Sequence, residues 1–587
     1  MTEGSIAIPG ALGSSSNGEN RMLMDCQFRY GFSRPIFHNY IKLITNIVRQ
    51  RVKSLFWAEN LAIRFELAHS RCMSLSSRNS WLIVFALYWA LGCDSSPTET
   101  TKPGLESFIL NESLILNPTG YVPLAAELQL ETSEPVQVEL EVLGLRNDLK
   151  PLIHRFEERA TSFSLPVLGL YPAHRNTLLI RLYDVENQLL GEESRPIDTP
   201  QLLSELPEIQ VSVNTERKKP GMNLVSFFGR TDSGLPQIPF MFDQYGNIRW
   251  YANMSTHPVL GSLFYDAGIE RLKNGNLYFG DGSSGRIVEM DMLGRVVNEW
   301  PLPGYGFHHN VLELPNGNLL ATVNKHGLAT VEDHILEIHR ETGNIVQEWD
   351  LRESLNRRRR VWSSNARDWF HANGLAYDEA KDAIIVSGRV QGTVKLTRDN
   401  QVIWILAPHN NWGTAGDGTD LDSKLLQPLD SNGQPITDPA VLDGFIDHSE
   451  FSWAWYQHAP KLTPHGTLLV FDNGDNRHYQ GQPVFSRAVE YLIDDDAMTV
   501  QQLWEYGRER GSTTYSAIVS DVDYHPEEDN VVFMPGANWE NGPNGKTIEV
   551  DYQTKDVVYE ASIPNPEARY GITFHRIERL PIYPNNQ

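Results

Sequence analysis

Residues 455–475, WYQHAPKLTPHGTLLVFDNGD, carry the pattern that decides the fold. A Pro464-His465-Gly466 turn feeds an apolar run, Thr467 to Phe471, which ends in an Asp/Asn/Gly cluster: one short buried strand between two turns. The layout recurs in LKNGNLYFGDG (272–282), LPNGNLLATVN (314–324) and KDAIIVSGR (381–389). Each unit closes on a strand with a Trp near its end, in NIRWY (Trp250), VVNEW (Trp300), IVQEWDL (Trp349), QVIWIL (Trp404) and VQQLWEY (Trp504), at successive gaps of 50, 49, 55 and 100 residues. The last gap is two periods wide but holds one unit, because 410–445 is a polar insertion. With NVVFMPGAN and KDVVYEASI as a final unit, the count is six.

Periods of about 40–50 residues made of short strands mark a propeller, in which each four-stranded blade buries its faces on its neighbours. The expected fold is therefore all-β, with a six-bladed β-propeller over 216–587 and the insertion looping over one end of its channel. Ahead of it, 105–215 alternate short strands with turns. VQVELEV puts Val136, Val138, Leu140 and Val142 on one face, and NTLLIRLYD follows after YPAHR. That stretch reads as a small antiparallel β-sandwich of the immunoglobulin-like kind.

The 587 residues are 41% apolar and 10% aromatic, enough for more than one core. The formal charge of −24 excludes nucleic acid as a partner, because a phosphate backbone binds through a positive surface. Residues 1–72 carry nine Lys/Arg against five Asp/Glu, which leaves −28 for the rest. After them comes MSLSSRNSWLIVFALYWALGC, in which Arg78 precedes an apolar run, Trp81 to Leu91, and Gly92 stands before Cys93. This is the pattern of a secretory signal (73–92) with a lipoprotein cleavage site, and the run falls short of the roughly 20 residues that span a bilayer. A start at Met73 makes 1–72 an upstream extension. Cys93 is then the lipidated residue and the single cysteine of the mature chain, and the polar Ser/Thr/Pro stretch that follows it completes a tether over 93–104. The expected location is the periplasm, with membrane contact only through the lipid anchor; a homodimer is compatible with the sequence.

Residues just ahead of the innermost strand of successive blades point toward the channel axis. His309 lies eight residues before Gly317, His458 lies eight before Gly466, and His371 precedes the inner strand between them. Arg389 ends IIVSGR, where an unpaired guanidinium in a core strand is costly unless an anionic ligand meets it. An anion with tetrahedral oxygens, gripped by an Arg fork and imidazoles, suits these groups; hydrolysis, group transfer and binding all remain open on them alone.

Several stretches resemble the bacterial aryl sulfotransferases (arylsulfate sulfotransferases), which work without an adenylyl-sulfate donor: DWFHANGLAYD, VSGRVQGTVKLTRDNQVIWILAP, DHILEIHRETGNIVQEWDL, FDNGDNR and VQQLWEYGRERG. The similarity runs over about 105–580. It implies an N-terminal sandwich and a six-bladed propeller, and a sulfuryl group passed from an aryl sulfate donor to a phenol acceptor with no metal or other cofactor. By the same resemblance, His458 in QHAPK takes up the sulfuryl group as a sulfohistidine in a ping-pong cycle. His371, Arg389 and His309 match further active-site residues, with His308 as the neighbouring ambiguity and Asn373 and Tyr515 as substrate-binding candidates. The chain departs from better-known members in lacking the cysteine pair of the loop at about 435–445.

Two rival readings follow from the residues. Three converging histidines could hold zinc in a metal-dependent hydrolase, against which stands the cation of Arg389. A lipoprotein propeller could also be a non-catalytic scaffold. Three motifs are read as decoys. GPNGKT (542–547) lacks the first Gly of a phosphate-binding loop and is read as a hairpin turn. DGTDLD (417–422) lacks the closing Glu of a calcium loop. RRRR (357–360) is read as a solvated run, with steering of anionic substrates as the alternative.

Overall fold

The computed structural model describes residues 104–228, 238–258, 260–261, 269–282, 284–361, 365–481, 485–538, 545–564 and 573–584. The extension, the signal, Cys93 and the tether up to residue 103 lie outside these residues, as does the first half of GPNGKT (542–544). Among the described residues the strands form seven sheets.

The first sheet is built around Ala126–Val142, seventeen residues long, which pairs along its length with Leu152–Val167. Its first half also pairs with Ile109–Leu116 and its second half with Arg175–Tyr183, which pairs in turn with Leu189–Asp198. The register breaks between Glu131 and Val136 and again between Gln137 and Glu139, and such irregularities bend a strand. The two layers expected of a sandwich are thus halves of one bent sheet sharing a core. Val136, Val138, Leu140 and Val142 are buried in it together with Leu128, Leu130, Phe163 and Ile180.

Six sheets follow. In chain order their first strands are Glu270–Arg271, Tyr305–Glu313, Ala372–Asp378, His458–Leu462, Asp521–His525 and Thr573–Leu580. The sixth joins the two ends of this region, because Thr573–Leu580 pairs with Met222–Phe228. Gln210–Asn214, inside the stretch assigned to the sandwich on sequence, pairs with Val557–Ile563 as an edge strand of the fifth sheet. The insertion adds Gln427–Leu429, parallel to Thr499–Tyr506.

Each sheet is hydrogen-bonded to the next. Glu313 N donates to Tyr278 Oη, Leu375 N to Asn310 Oδ1, Asn373 Nδ2 to Gln457 O, Asn473 Nδ2 to Val519 O and Phe574 N to Gly536 O. Ile269 N donates to Ser226 Oγ, which links the last of these six sheets to the one that begins at Glu270–Arg271.

The recurrent Trp has a structural reason. Trp250, Trp300, Trp349 and Trp504 each donate their indole N–H to a backbone carbonyl in the last hairpin of the following sheet: Met292, Arg340, Thr397 and Tyr552. Trp404 donates to Asp495 Oδ1 in the equivalent hairpin, across the insertion. A buried indole needs a partner for its N–H, and here that partner ties neighbouring sheets together. Replacing Trp349 by Phe keeps most of the apolar contact but removes the indole bond to Thr397 O and leaves that carbonyl only the N–H of Asn400. A loss of about 1–2 kcal/mol, read from urea denaturation, is the expected result.

Candidate active site

The first strands of the second, third, fourth and sixth sheets share a defect near their starts. Pairing slips between Phe307 and Val311, Ala372 and Gly374, His458 and Lys461, and Phe574 and Ile577. His309 and His371 have positive φ, 58° and 61°, as does Ala459 beside His458 at 50°. Such conformations are costly away from glycine and concentrate at functional sites. Each slip re-aims a side chain that a regular strand would bury between sheets.

The imidazoles so released meet. His309 Nε2 and His371 Nε2 are 3.0 Å apart, and the His309 ring lies 6.4 Å from that of His458 and 5.7 Å from that of His575, centroid to centroid. The histidine pair is thereby resolved: His309 faces the cluster, whereas His308 Nε2 reaches Glu332 Oε1 at 3.1 Å. His575, in TFHR, is not among the residues expected from sequence.

Protonation differs sharply within this group. Burial lowers His458 well below the ordinary histidine range, and the nearby Arg389 charge lowers it further. Burial and the surrounding imidazoles do the same to His309 and His308, and burial takes His575 down to about 4. Burial also pulls on His371, but Asp368 and Glu332 outweigh it and push this residue up to about 9. Its Nδ1 is 2.8 Å from Asp368 Oδ2 and 2.7 Å from Glu332 Oε2. One imidazolium therefore stands among neutral imidazoles.

The His458 tautomer follows from its partner. Asn473 Nδ2 donates to the carbonyls of Ser516 and Val519, which turns Oδ1 toward His458 Nδ1, 2.7 Å away. Nδ1 must then carry the proton, and the lone pair is on Nε2. Beside it, buried Asp472 accepts from the backbone N–H groups of Trp455 and Gly474 and pairs with Arg477 and Arg487, which anchors the segment leading into His458.

Arg389 follows the strand Ala383–Gly388, and its backbone N–H donates to His371 O. Its Nε is buried without a hydrogen-bond partner among the described residues. Asn373 binds Gln457 O, and Tyr515 donates to Asp475 Oδ1 at 3.2 Å. Asn373 therefore shapes the approach to His458, and Tyr515 stands within the field of Arg389.

Comparison with known proteins gives the family. Residues 204–571 match the family described as Arylsulfotransferase (ASST), and residues 113–200 match the Arylsulfotransferase Ig-like domain.

The chain belongs to the arylsulfotransferase family.

Two relatives are named arylsulfate sulfotransferase AssT. The one from Escherichia coli O6:H1 (strain CFT073) is 34% identical over 385 residues, 55% of this chain and 62% of the relative. The one from Lelliottia amnigena is 29% identical over 550 residues, 77% of this chain and 90% of the relative. The chain thus spans less than two thirds of the first relative and most of the second. Among solved structures, a virginiamycin B lyase from Staphylococcus aureus is 12% identical with a TM-score of 0.27, over 68% of this chain and 95% of that one; a likeness that loose bears on neither fold nor function.

In this member of the family, Asn473, Glu332, Asp368 and His575 join the residues expected from sequence. The donors of His308, His309 and Glu332, and likewise those of Glu332, Asp368 and His371, lie within 4.8 Å of one another. Such sets could hold a cation; the second would do so only where His371 gives up the proton that Asp368 and Glu332 hold on it.

Proposed function

We propose that the six sheets are the blades of a closed propeller whose channel transfers a sulfuryl group from an aryl sulfate to a phenol, by a ping-pong mechanism through His458. Family membership supports the reaction class. The observation that carries the mechanism is the Asn473–His458 hydrogen bond, which presents a neutral imidazole with Nε2 as the nucleophile.

Sulfuryl transfer, like phosphoryl transfer, passes through a loose transition state with charge on the equatorial oxygens. His458 Nε2 forms a bond to sulfur as the bond from sulfur to the aryl oxygen breaks. The electron pair leaves on that oxygen. His309 Nδ1–H, which has no partner among the described residues, supplies the proton, and His309 Nε2 takes the one held by His371. Arg389 grips the sulfuryl oxygens through charge-assisted hydrogen bonds. The sulfated ring carries positive charge that Asn473 Oδ1 steadies but that its buried, Arg-flanked setting disfavours, so the adduct is reactive. In the second half the acceptor phenol returns its proton to the relay and attacks sulfur, and the pair of the broken N–S bond returns to Nε2. Residues 73–93 place the enzyme, on this reading, in the periplasm on a lipid anchor at Cys93.

The test is mass spectrometry after brief mixing with 4-nitrophenyl sulfate in the absence of acceptor. One sulfuryl group on the peptide containing His458, removed by added phenol, is the expected result; product release without any adduct overturns the ping-pong route. The cation-binding reading is tested in parallel, since a metal-dependent hydrolase loses activity to a chelator and this mechanism does not.

A further inference from the structure

The Arg357–Arg360 run, expected in solvent, contains a buried member. Arg359 is 3% exposed. Its guanidinium lies 4.2 Å from the Trp412 ring centroid; Nε donates to Asn410 O at 2.9 Å, Nη1 to Gln391 Oε1 at 2.5 Å, and Nη2 to Pro408 O at 3.4 Å. Every one of these acceptors is neutral. A buried cation without a carboxylate is costly, and burial pushes this guanidinium down to about 10.

What Arg359 holds explains its place. Gln391 lies in the turn from Gly388 to Gly392, and its Nε2 donates in turn to Trp369 O at 2.6 Å, two residues before His371. Arg389 is in the same turn, with its own N–H on His371 O. Asn410 and Pro408 stand where the polar insertion begins. Arg359 and Arg389 line one small cavity of about 30 Å³, together with Gln391, Trp455 and Tyr456, and none of its lining residues is acidic. Room for about one water is all it offers.

We propose that Arg359 is a positioning residue for Arg389: through Gln391 it fixes the turn that presents the Arg389 fork, and its uncompensated charge keeps that wall of the channel electropositive. This rests on the reading of Arg389 as the sulfuryl clamp. Arg359 touches no reacting atom, so its effect passes through Arg389.

A double-mutant cycle tests this directly, because coupled residues are non-additive whereas independent ones add. The readout is kcat/KM for 4-nitrophenyl sulfate in Arg359→Met, Arg389→Ala and the double variant. Arg359→Met is expected to cost roughly 10-fold in the otherwise intact enzyme, and less than about twofold once Arg389 is Ala. Gln391→Leu, which keeps Arg359 in place, is expected to show the same non-additivity and covers the case in which Arg359→Met does not fold. Equal losses in both backgrounds overturn the proposal, since a purely structural role adds to any other defect. If Arg389→Ala alone leaves the rate unchanged, the clamp reading itself fails, a distinct result.

Discussion

His458→Ala is expected to lower kcat/KM for aryl sulfates by at least about 10⁴-fold, the scale on which loss of a covalent nucleophile is felt, and to leave no sulfuryl group on the protein. The effect is large because the Asn473 bond leaves His458 Nε2 with its lone pair free, whereas three of the four other imidazoles are otherwise engaged. His309 is engaged with His371, His371 holds a proton on each nitrogen, and His308 turns to Glu332. His458 is 3% exposed among Asn473, Arg389 and the other imidazoles, so truncation leaves a ring-sized space with Asn473 Oδ1 still facing it. Added imidazole is therefore expected to restore part of the turnover in His458→Gly, and with sulfoimidazole as a free product. Rescue of turnover without sulfoimidazole would instead assign the ring a purely acid–base role and sink the covalent route. Asn473→Ala gives a smaller loss of the same kind, because the tautomer is then no longer imposed.

The propeller-like repeat was legible in the sequence because its signals are local. A turn pair, an apolar strand and a Trp recur, and the structure shows that each Trp serves the same purpose, a bond to the following sheet. Three histidines were legible as a group from their positions ahead of inner strands, and Arg389 as an unpartnered cation at the end of IIVSGR. The carboxylates were not, since Glu332 and Asp368 lie in loops with nothing local to distinguish them from 72 other acidic residues. His575 had a signal that went unread: Phe307-His308, Phe370-His371 and Phe574-His575 repeat one dipeptide. Each Phe packs against a glycine, at Gly280, Gly388 and Gly545, where an added Cβ would come within 2.5 Å of the ring. These glycines make room for the aromatic that seats each slipped strand. The burial of Arg359 was also invisible, because its acceptors are backbone carbonyls and a glutamine contributed by other segments. The two layers of the expected sandwich are joined through one bent sheet, a connection that turns on the length of Ala126–Val142 and not on its apolar alternation.

The pH dependence of the first half-reaction isolates the acid. With phenyl sulfate, whose leaving phenol has a pKa of about 10, departure needs a proton. kcat/KM should hold at neutral pH and fall as pH rises through about 9, where His371 loses its charge. The same group gives a stability effect of matching sign: its folded pKa lies above the unfolded value, so its contribution is complete below about 6.5 and is lost as pH rises through about 9. Asp368→Asn removes the hydrogen-bonded carboxylate and Glu332→Gln the second one. Each change should move the alkaline limb down by more than a unit. Together they should carry it below the ordinary histidine range, because burial, the largest opposing influence, is then unanswered. At pH 8 the double variant is expected to lose on the order of 100-fold on phenyl sulfate. With 4-nitrophenyl sulfate, whose phenol is far more acidic and leaves without help, the loss should nearly vanish. A merely structural role for the carboxylates would depress both donors alike at every pH, and that outcome would return His371 to the framework of the channel and leave its proton out of the chemistry.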